Sequence, residues 1–405
     1  MSLDADVCVV GGGPAGMMLG FLLARDGVST VVLEKHGDFL RDFRGDTVHP
    51  STLDVMDQLG LGQAAADVPH RDVAELRMTF ADGTYRVADF SRLRGAHPYI
   101  RFMPQWDFLN ILANAAEALP SFRLLRRHEV VDVIREDGVV RGVRAETPTG
   151  PVEVRARLTV AADGRGSVVR AHAGLRVREY GAPMDVLWFR VGRDRDDAEG
   201  LDMHLGPRRL MLAIDRGEYW QIAYVVAKGD DERWRQRPIE DLRRSVADLV
   251  PTLGRHVSEV QSWADVRTLT VRMDRLRRWH APGLLCIGDA AHAMSPVGGV
   301  GINLAIQDAV CAARVLTEPL RAHRLDSHVL ASVQARRALP TMGTQLGQRL
   351  AQRFLVGPVL AGEAPVRAPA PMKLLARFPA LQALPARVVG VGIRPEHVPE
   401  TRRHV

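Results

Sequence analysis

The stretch DADVCVVGGGPAGMMLGFLLARDGVSTVVLEK, residues 4–35, leaves few folds open. A short apolar run suited to a buried strand enters a glycine-crowded turn. Apolar residues then recur at helical spacing as far as Gly27, a natural C-cap, and a second apolar strand ends at Glu34 and Lys35. The order is strand, turn, helix, strand. Gly11, Gly13 and Gly16 satisfy G-x-G-x-x-G: the first for the tight turn, the second for backbone contact with a pyrophosphate, the third for close helix–strand packing. Pro14 and Ala15 open the helix, whose N-terminus carries partial positive charge for phosphates. Glu34 lies about 20 residues on, where a carboxylate accepts ribose hydroxyls and repels a 2′-phosphate. A tightly held dinucleotide other than NADP follows, with NAD and FAD both open.

A second glycine-rich turn lies far along the chain. GDAAHAMSPVGGVGIN, residues 288–303, sits between the apolar run GLLCI and an apolar helix. Two such turns suggest one long ligand held at both ends. Between them comes AADGRGSVVR, residues 161–170, in which Asp163–Gly164 marks a turn and Ser167 suits a helix N-cap.

These three motifs, in this order, resemble those of the group A FAD-dependent monooxygenases, the flavoprotein aromatic hydroxylases related to p-hydroxybenzoate hydroxylase and the ubiquinone-biosynthesis hydroxylases. The resemblance covers most of residues 1–345 and implies FAD as the cofactor. It implies that Asp289 accepts a hydrogen bond from a ribityl hydroxyl. It also implies that Pro296, Gly299, Gly301, Ile302 and Asn303 wrap the pyrimidine edge of the isoalloxazine. The physics agrees, because a helix starting near Gly301 aims its N–H groups and positive end at the edge that gains charge on reduction. By the same resemblance Asp163 and Gly164 lie near the pyrophosphate and ribose. Arg44 and Gln105 would contact FAD phosphate or ribityl oxygen, although the family more often has Arg at the second place. Lys35 and Val131 complete the expected cofactor set, and His292 reads as a packed histidine behind the flavin.

The implied fold is α/β: a Rossmann-type FAD-binding domain interleaved with an antiparallel-sheet substrate domain, plus C-terminal helices. The expected FAD-binding domain is discontinuous, at 1–73, 98–178 and 268–345. The substrate sheet takes 74–97 and 179–267, because AELRMTFADGTYRV, MDVLWFRVG and RLMLAIDRGEYWQIAYVVAKG read as strands and hairpins. EVVDVIREDGVVRGVRAET is a further hairpin, turning at Asp137–Gly138. Along YWQIAYV, Trp220, Ile222 and Tyr224 share one face, and Tyr219, Gln221 and Ala223 the other. The period of two does not say which face meets the flavin. Past Gln345 an Ala/Pro-rich passage suggests a helical cap over 346–405, with a membrane-surface or dimer role as the alternative.

The implied reaction uses NADH or NADPH and O2 to hydroxylate or epoxidise an aromatic or polycyclic small molecule through a flavin C4a-hydroperoxide. A second nucleotide fingerprint is absent, consistent with NAD(P)H as a transient co-substrate. Pro296, in the late turn, and Tyr224, His204 and Arg190, on the sheet, are the candidate catalytic residues. Two rivals keep the flavin: a reductase or dehydrogenase of the geranylgeranyl-reductase-like kind, and a non-catalytic flavin-binding protein.

Composition excludes other classes. The net charge of +6 arises from 54 Lys+Arg against 48 Asp+Glu in short scattered runs, with only 5% aromatics, which does not make a nucleic-acid face. Cys8, Cys286 and Cys311 lie in apolar runs without C-x-x-C spacing, so free buried thiols in a cytoplasmic protein are expected rather than a metal or disulfide. The acidic start MSLDAD and the interrupting glycines argue against a signal peptide, and no transmembrane segment is expected. A monomer and a homodimer both remain open.

Overall fold

The computed structural model describes residues 2–40, 46–194, 196–197, 200–362 and 367–398. In chain order its main elements begin with β1 (Ser2–Val10), α1 (Pro14–Arg25), β2 (Thr30–Glu34), α2 (Pro50–Gln58), β3 (Glu75–Phe80) and β4 (Gly83–Asp89). They continue with α3 (Gln105–Glu117), β5 (Phe122–Arg126), β6 (Glu129–Glu136), β7 (Val139–Glu146), β8 (Val152–Ala161), β9 (Met184–Gly192) and β10 (Leu201–Gly206). Next come β11 (Arg209–Asp215), β12 (Tyr219–Ala227), α4 (Ile239–Leu249), β13 (Arg267–Leu269) and β14 (Leu284–Cys286). The long helices α5 (Gly301–Arg321) and α6 (Ser327–Ala351), then the short α7 (Ala370–Arg377) and α8 (Ala383–Gly390), complete the chain.

Five parallel strands run side by side in the order β14, β8, β1, β2, β5. The second half of β1 (Val7–Val10) and most of β2 read as apolar runs because α1 covers one face of the sheet and the β6–β7 hairpin the other. α1 is buried over its whole length from Ala15 to Ala24 and packs between this sheet and α5. Met17, Leu19 and Leu23 are fully enclosed, each contributing about 1.5–3 kcal/mol on burial. The parallel order has one decisive consequence. The three glycine motifs, scattered over nearly 300 residues, follow the carboxyl ends of the adjacent strands β1, β8 and β14, where open α/β sheets place their ligands. Backbone bonds lock them together: Ala162 N–H donates to Val10 O at 2.8 Å, and Ile287 N–H to Ala161 O at 3.0 Å.

The second sheet has the order β13, β9, β12, β11, β10, β3, β4. It is antiparallel throughout except where β10 meets β3 in parallel, because β3 and β4 arrive as a separate hairpin from early in the chain. Its turns fall where the sequence expects them, at Asp82–Gly83 and around Arg216–Gly217. α4 covers one face with Leu242 and Val246.

The cap differs from expectation at its start. The boundary placed after residue 345 falls inside α6, which runs unbroken to Ala351. The compositional change there is no stop signal, because buried Gln345 and Gln348 on α6 bond backbone of the body. α5 is long and apolar enough to cross a membrane by composition alone, but it is mostly buried against α1 and α6, as a core helix is.

Candidate active site

A cavity of about 600 Å³ lies between the parallel sheet and the second sheet. Gly13, Pro14 and Ala15 form part of its wall, together with Gln105, Gly164, Arg165 and Asp289. Pro296, Gly299, Gly301 and Ile302 line it further along. Trp188, Leu201, Met203, Leu212, Ile214 and Leu269 of the second sheet roof it, and Val389 of α8 closes one side.

Each glycine of the first turn has its own reason. A Cβ on Gly11 would run into the Ala162 carbonyl, and one on Gly16 into the Gly11 carbonyl. At Gly13 a Cβ would meet nothing within 4 Å, because that position faces the cavity. α1 begins there with no side-chain cap and no acidic residue in its first turn. α5 begins the same way at the late turn, where Gly298 and Gly299 adopt φ of 81° and 63° that other residues avoid. Two helix N-termini with no side-chain cap thus open on one cavity, an arrangement suited to anionic groups at both ends of one ligand.

The late turn is held from outside by residues the motifs did not reveal. Thr47 Oγ1 donates to Gly299 O at 2.9 Å, and the buried His49 ring bridges Gly299 O at 3.1 Å and Val389 O at 2.8 Å. Burial lowers the His49 pKa to about 4, so near pH 7 the ring is neutral and its single N–H donates to one of the two carbonyls at a time. Gln348 Nε2 donates to Ser295 O and Val297 O, both at 2.8 Å, and Gln352 Nε2 to Ser295 Oγ at 2.8 Å, so α6 clamps the backbone on both sides of Pro296. The signal was present: Gln345, Gln348 and Gln352 recur at helical spacing as a polar stripe.

Other expected residues serve the frame. Glu34 is buried, and its carboxylate accepts Gly12 N–H at 3.0 Å and His36 N–H at 2.9 Å. Asn303 does not line the cavity; its Oδ1 accepts from Ser51 Oγ at 2.8 Å and Thr52 Oγ1 at 2.7 Å. Lys35 and Val131 are exposed and lie apart from the cavity lining. Asp163 lies just behind the lining, accepts Val169 N–H at 3.2 Å, and keeps Oδ1 buried without a partner. Desolvation raises its pKa. Arg44 lies outside the described residues. His292 is buried and bonds Asp308 at 2.6 Å through Nε2, packed against Trp279.

Three of the four candidate catalytic residues are corrected by the geometry. Tyr224 points away from the cavity into the core beneath α4, where its hydroxyl meets Ser245 Oγ at 2.7 Å. Alternation decides this: Gln221 lines the cavity, so Tyr224 takes the opposite face. His204 falls on the far face for the same reason, since its neighbours Leu201 and Met203 line the cavity. Arg190 shares the Trp188 face but is exposed, with its guanidinium 4.8 Å from the Tyr219 ring centroid. Pro296 alone lines the cavity.

Fold and site together define a flavoprotein with a sheet-roofed substrate chamber. A match to the FAD binding domain family spans residues 4–345, and the chain belongs to that family. It is 32% identical over 387 residues to a 6-methylpretetramide 4-monooxygenase of Streptomyces rimosus, covering 95% of this chain and 91% of that protein. It is 29% identical to a protoasukamycin 4-monooxygenase of Streptomyces nodosus subsp. asukaensis, covering 78% of this chain and 81% of the relative. Its fold is similar to that of OxyS anhydrotetracycline hydroxylase from Streptomyces rimosus, with a TM-score of 0.76 at 24% identity, over 99% of this chain and 78% of that one. The chain is a FAD-dependent monooxygenase, with NAD(P)H as its co-substrate.

The residues present fit FAD. Gly13 leaves space where a side chain would intrude, and the two helix ends are unblocked. Asp289 is partly exposed at the cavity wall, where its Oδ2 accepts Arg165 Nε–H at 3.0 Å. It makes no cap to the turn it sits in. Asp289→Ala should therefore leave the thermal midpoint of the apoprotein nearly unchanged while weakening FAD roughly 10- to 100-fold, as for one charge-assisted hydrogen bond. A lower midpoint with unchanged FAD affinity would make Asp289 part of the scaffold.

Proposed function

We propose that the chain hydroxylates a planar, oxygen-bearing polycyclic aromatic molecule of the polyketide type. The observation that carries this reading is the chamber itself, broad and apolar, with the Leu76, Trp188 and Leu212 wall in the same cavity as the Pro296–Gly299 turn. Relatives named for polycyclic substrates support it. When bound, FAD supplies the redox chemistry, taking a hydride equivalent and activating O2. This chain's residues do the rest. The Gly13 and Asp289 turns hold the cofactor, the roof and Val389 exclude water, and the N-terminus of α5 offers positive potential to developing negative charge. In this reading residues 74–97 and 179–267 form the substrate unit. The buried unpaired Cys8, Cys286 and Cys311 suit a reducing, cytoplasmic setting.

The test is oxygen uptake by FAD-loaded protein with NADH or NADPH, in the presence of 1,8-dihydroxyanthraquinone or 4-nitrophenol. The polycycle should accelerate NAD(P)H oxidation and gain one oxygen atom by mass, and the small phenol should do neither. Accelerated oxidation with no oxygenated product would move the reading to a reductase. A response to 4-nitrophenol alone would end the polycyclic assignment.

A further inference from the structure

One hydrogen-bond donor stands unused at the chamber wall. Trp188 on β9 and Gln221 on β12 project from the same sheet face, since Trp188 pairs with Ala223 and Gln221 with Arg190. They are diagonal cross-strand neighbours, roughly 7–8 Å apart, which one planar ligand can span. Gln221 is 2% exposed, and Arg216 Nε donates to its Oε1 at 2.7 Å. Arginine only donates, so the bonded atom is the amide oxygen and the nitrogen is the atom left over. Among the described residues Gln221 Nε2 has no partner. Arg216 is itself tied to Asp46 by an ion pair and lies over the Phe102 ring, so the amide cannot turn its oxygen inward instead. The Trp188 Nε1–H has no partner either, but it is sealed from the chamber, which only the indole ring meets. The neighbouring walls, Leu201, Leu212, Ile214 and Leu269, offer nothing to bond. A buried donor without a partner is rare and costly, and a ligand that accepts from the Gln221 amide would satisfy it.

We propose that the Gln221 amide is a donor anchor for an oxygen on one edge of a polycyclic substrate whose rings lie against Trp188. The anchor sets which ring carbon faces the Pro296–Gly299 turn. The inference rests on the polycyclic reading above.

Binding of 1,8-dihydroxyanthraquinone and of anthracene to FAD-loaded protein, followed by flavin fluorescence, tests it. Anthracene has the same rings and no oxygens. Gln221→Glu keeps an acceptor for Arg216 and replaces the donor by a second acceptor. It should weaken the hydroxyanthraquinone about tenfold and shift anthracene by less than about twofold, the effect of one lost hydrogen bond. Unchanged affinity for the hydroxyanthraquinone, or equal losses for both ligands, overturns the anchor while leaving the polycyclic reading in place. If unsubstituted protein with full FAD binds neither ligand, both fall together.

Discussion

A Gly13→Val protein is expected to fold and to emerge colourless, with FAD affinity down by roughly 100-fold or more, whereas Gly16→Val is expected to fail at folding itself. Both glycines belong to one fingerprint, yet their surroundings differ. Gly13 has φ −76° and ψ −176°, a conformation open to any residue, and a Cβ there meets nothing within 4 Å. A valine side chain would stand in the cavity, where the pyrophosphate must approach the backbone. At Gly16 a Cβ would overlap the Gly11 carbonyl, and neither the helix nor the turn can retreat, since α1 is packed along its length. Circular dichroism and thermal melts of the apoproteins, with released flavin counted per chain, separate the outcomes. Full FAD occupancy in a folded Gly13→Val protein would mean that the phosphates lie elsewhere.

Asp308→Ala should cost about 3–5 kcal/mol of stability, because it strips a buried arginine of its nearer carboxylate. Asp308 on α5 is fully enclosed. Its carboxylate accepts Arg337 Nε–H at 2.9 Å, Gly288 N–H at 3.1 Å and the His292 ring at 2.6 Å. Arg337 is 1% exposed, and once Asp308 is gone only Glu396, 3.7 Å from Nη1, and the Arg394 carbonyl remain beside it. The loss is a large part of the 5–15 kcal/mol that holds a typical domain folded. Burial alone would raise the Asp308 pKa, but His292 and Arg337 outweigh it and hold the carboxyl below the ordinary range. A depressed folded-state pKa gives stability that is present above about pH 4 and is lost as pH falls through the lowered value. Urea denaturation of the apoprotein at neutral pH and in acid measures both effects. A change under about 0.5 kcal/mol at neutral pH would show that the network carries no stability. Because Asp308 also holds Gly288, the surviving Asp308→Ala protein should bind FAD more weakly.

Much of the frame was legible because it follows local rules. Gly11 and Gly16 are needed for backbone clearance within the turn and against its neighbouring strand, and the apolar runs Val7–Val10 of β1 and Val31–Leu33 of β2 mark strands covered on both faces. The hairpin at Asp137–Gly138 shows in its two positive-φ residues. Alternation along YWQIAYV separated two faces correctly but carried no sign. Only the packing of α4 on Ile222 and Tyr224 turned Gln221 inward and Tyr224 outward. His204 was misread for the same reason.

The chain's own text therefore determined the strand–turn–helix grip on a dinucleotide and the existence of a second, late grip. Glycine geometry and apolar periodicity act over a few residues and leave a direct trace in the sequence. Tertiary structure alone decided that β1, β8 and β14 lie side by side, that Gln348 and Gln352 clamp the Pro296 turn, that Val389 closes the chamber, and that Trp188 and Gln221 face it. These are contacts between segments up to 340 residues apart, as for the bond from His49 to Val389. Such partners are chosen by how layers stack, a property of the packed whole that no local pattern encodes.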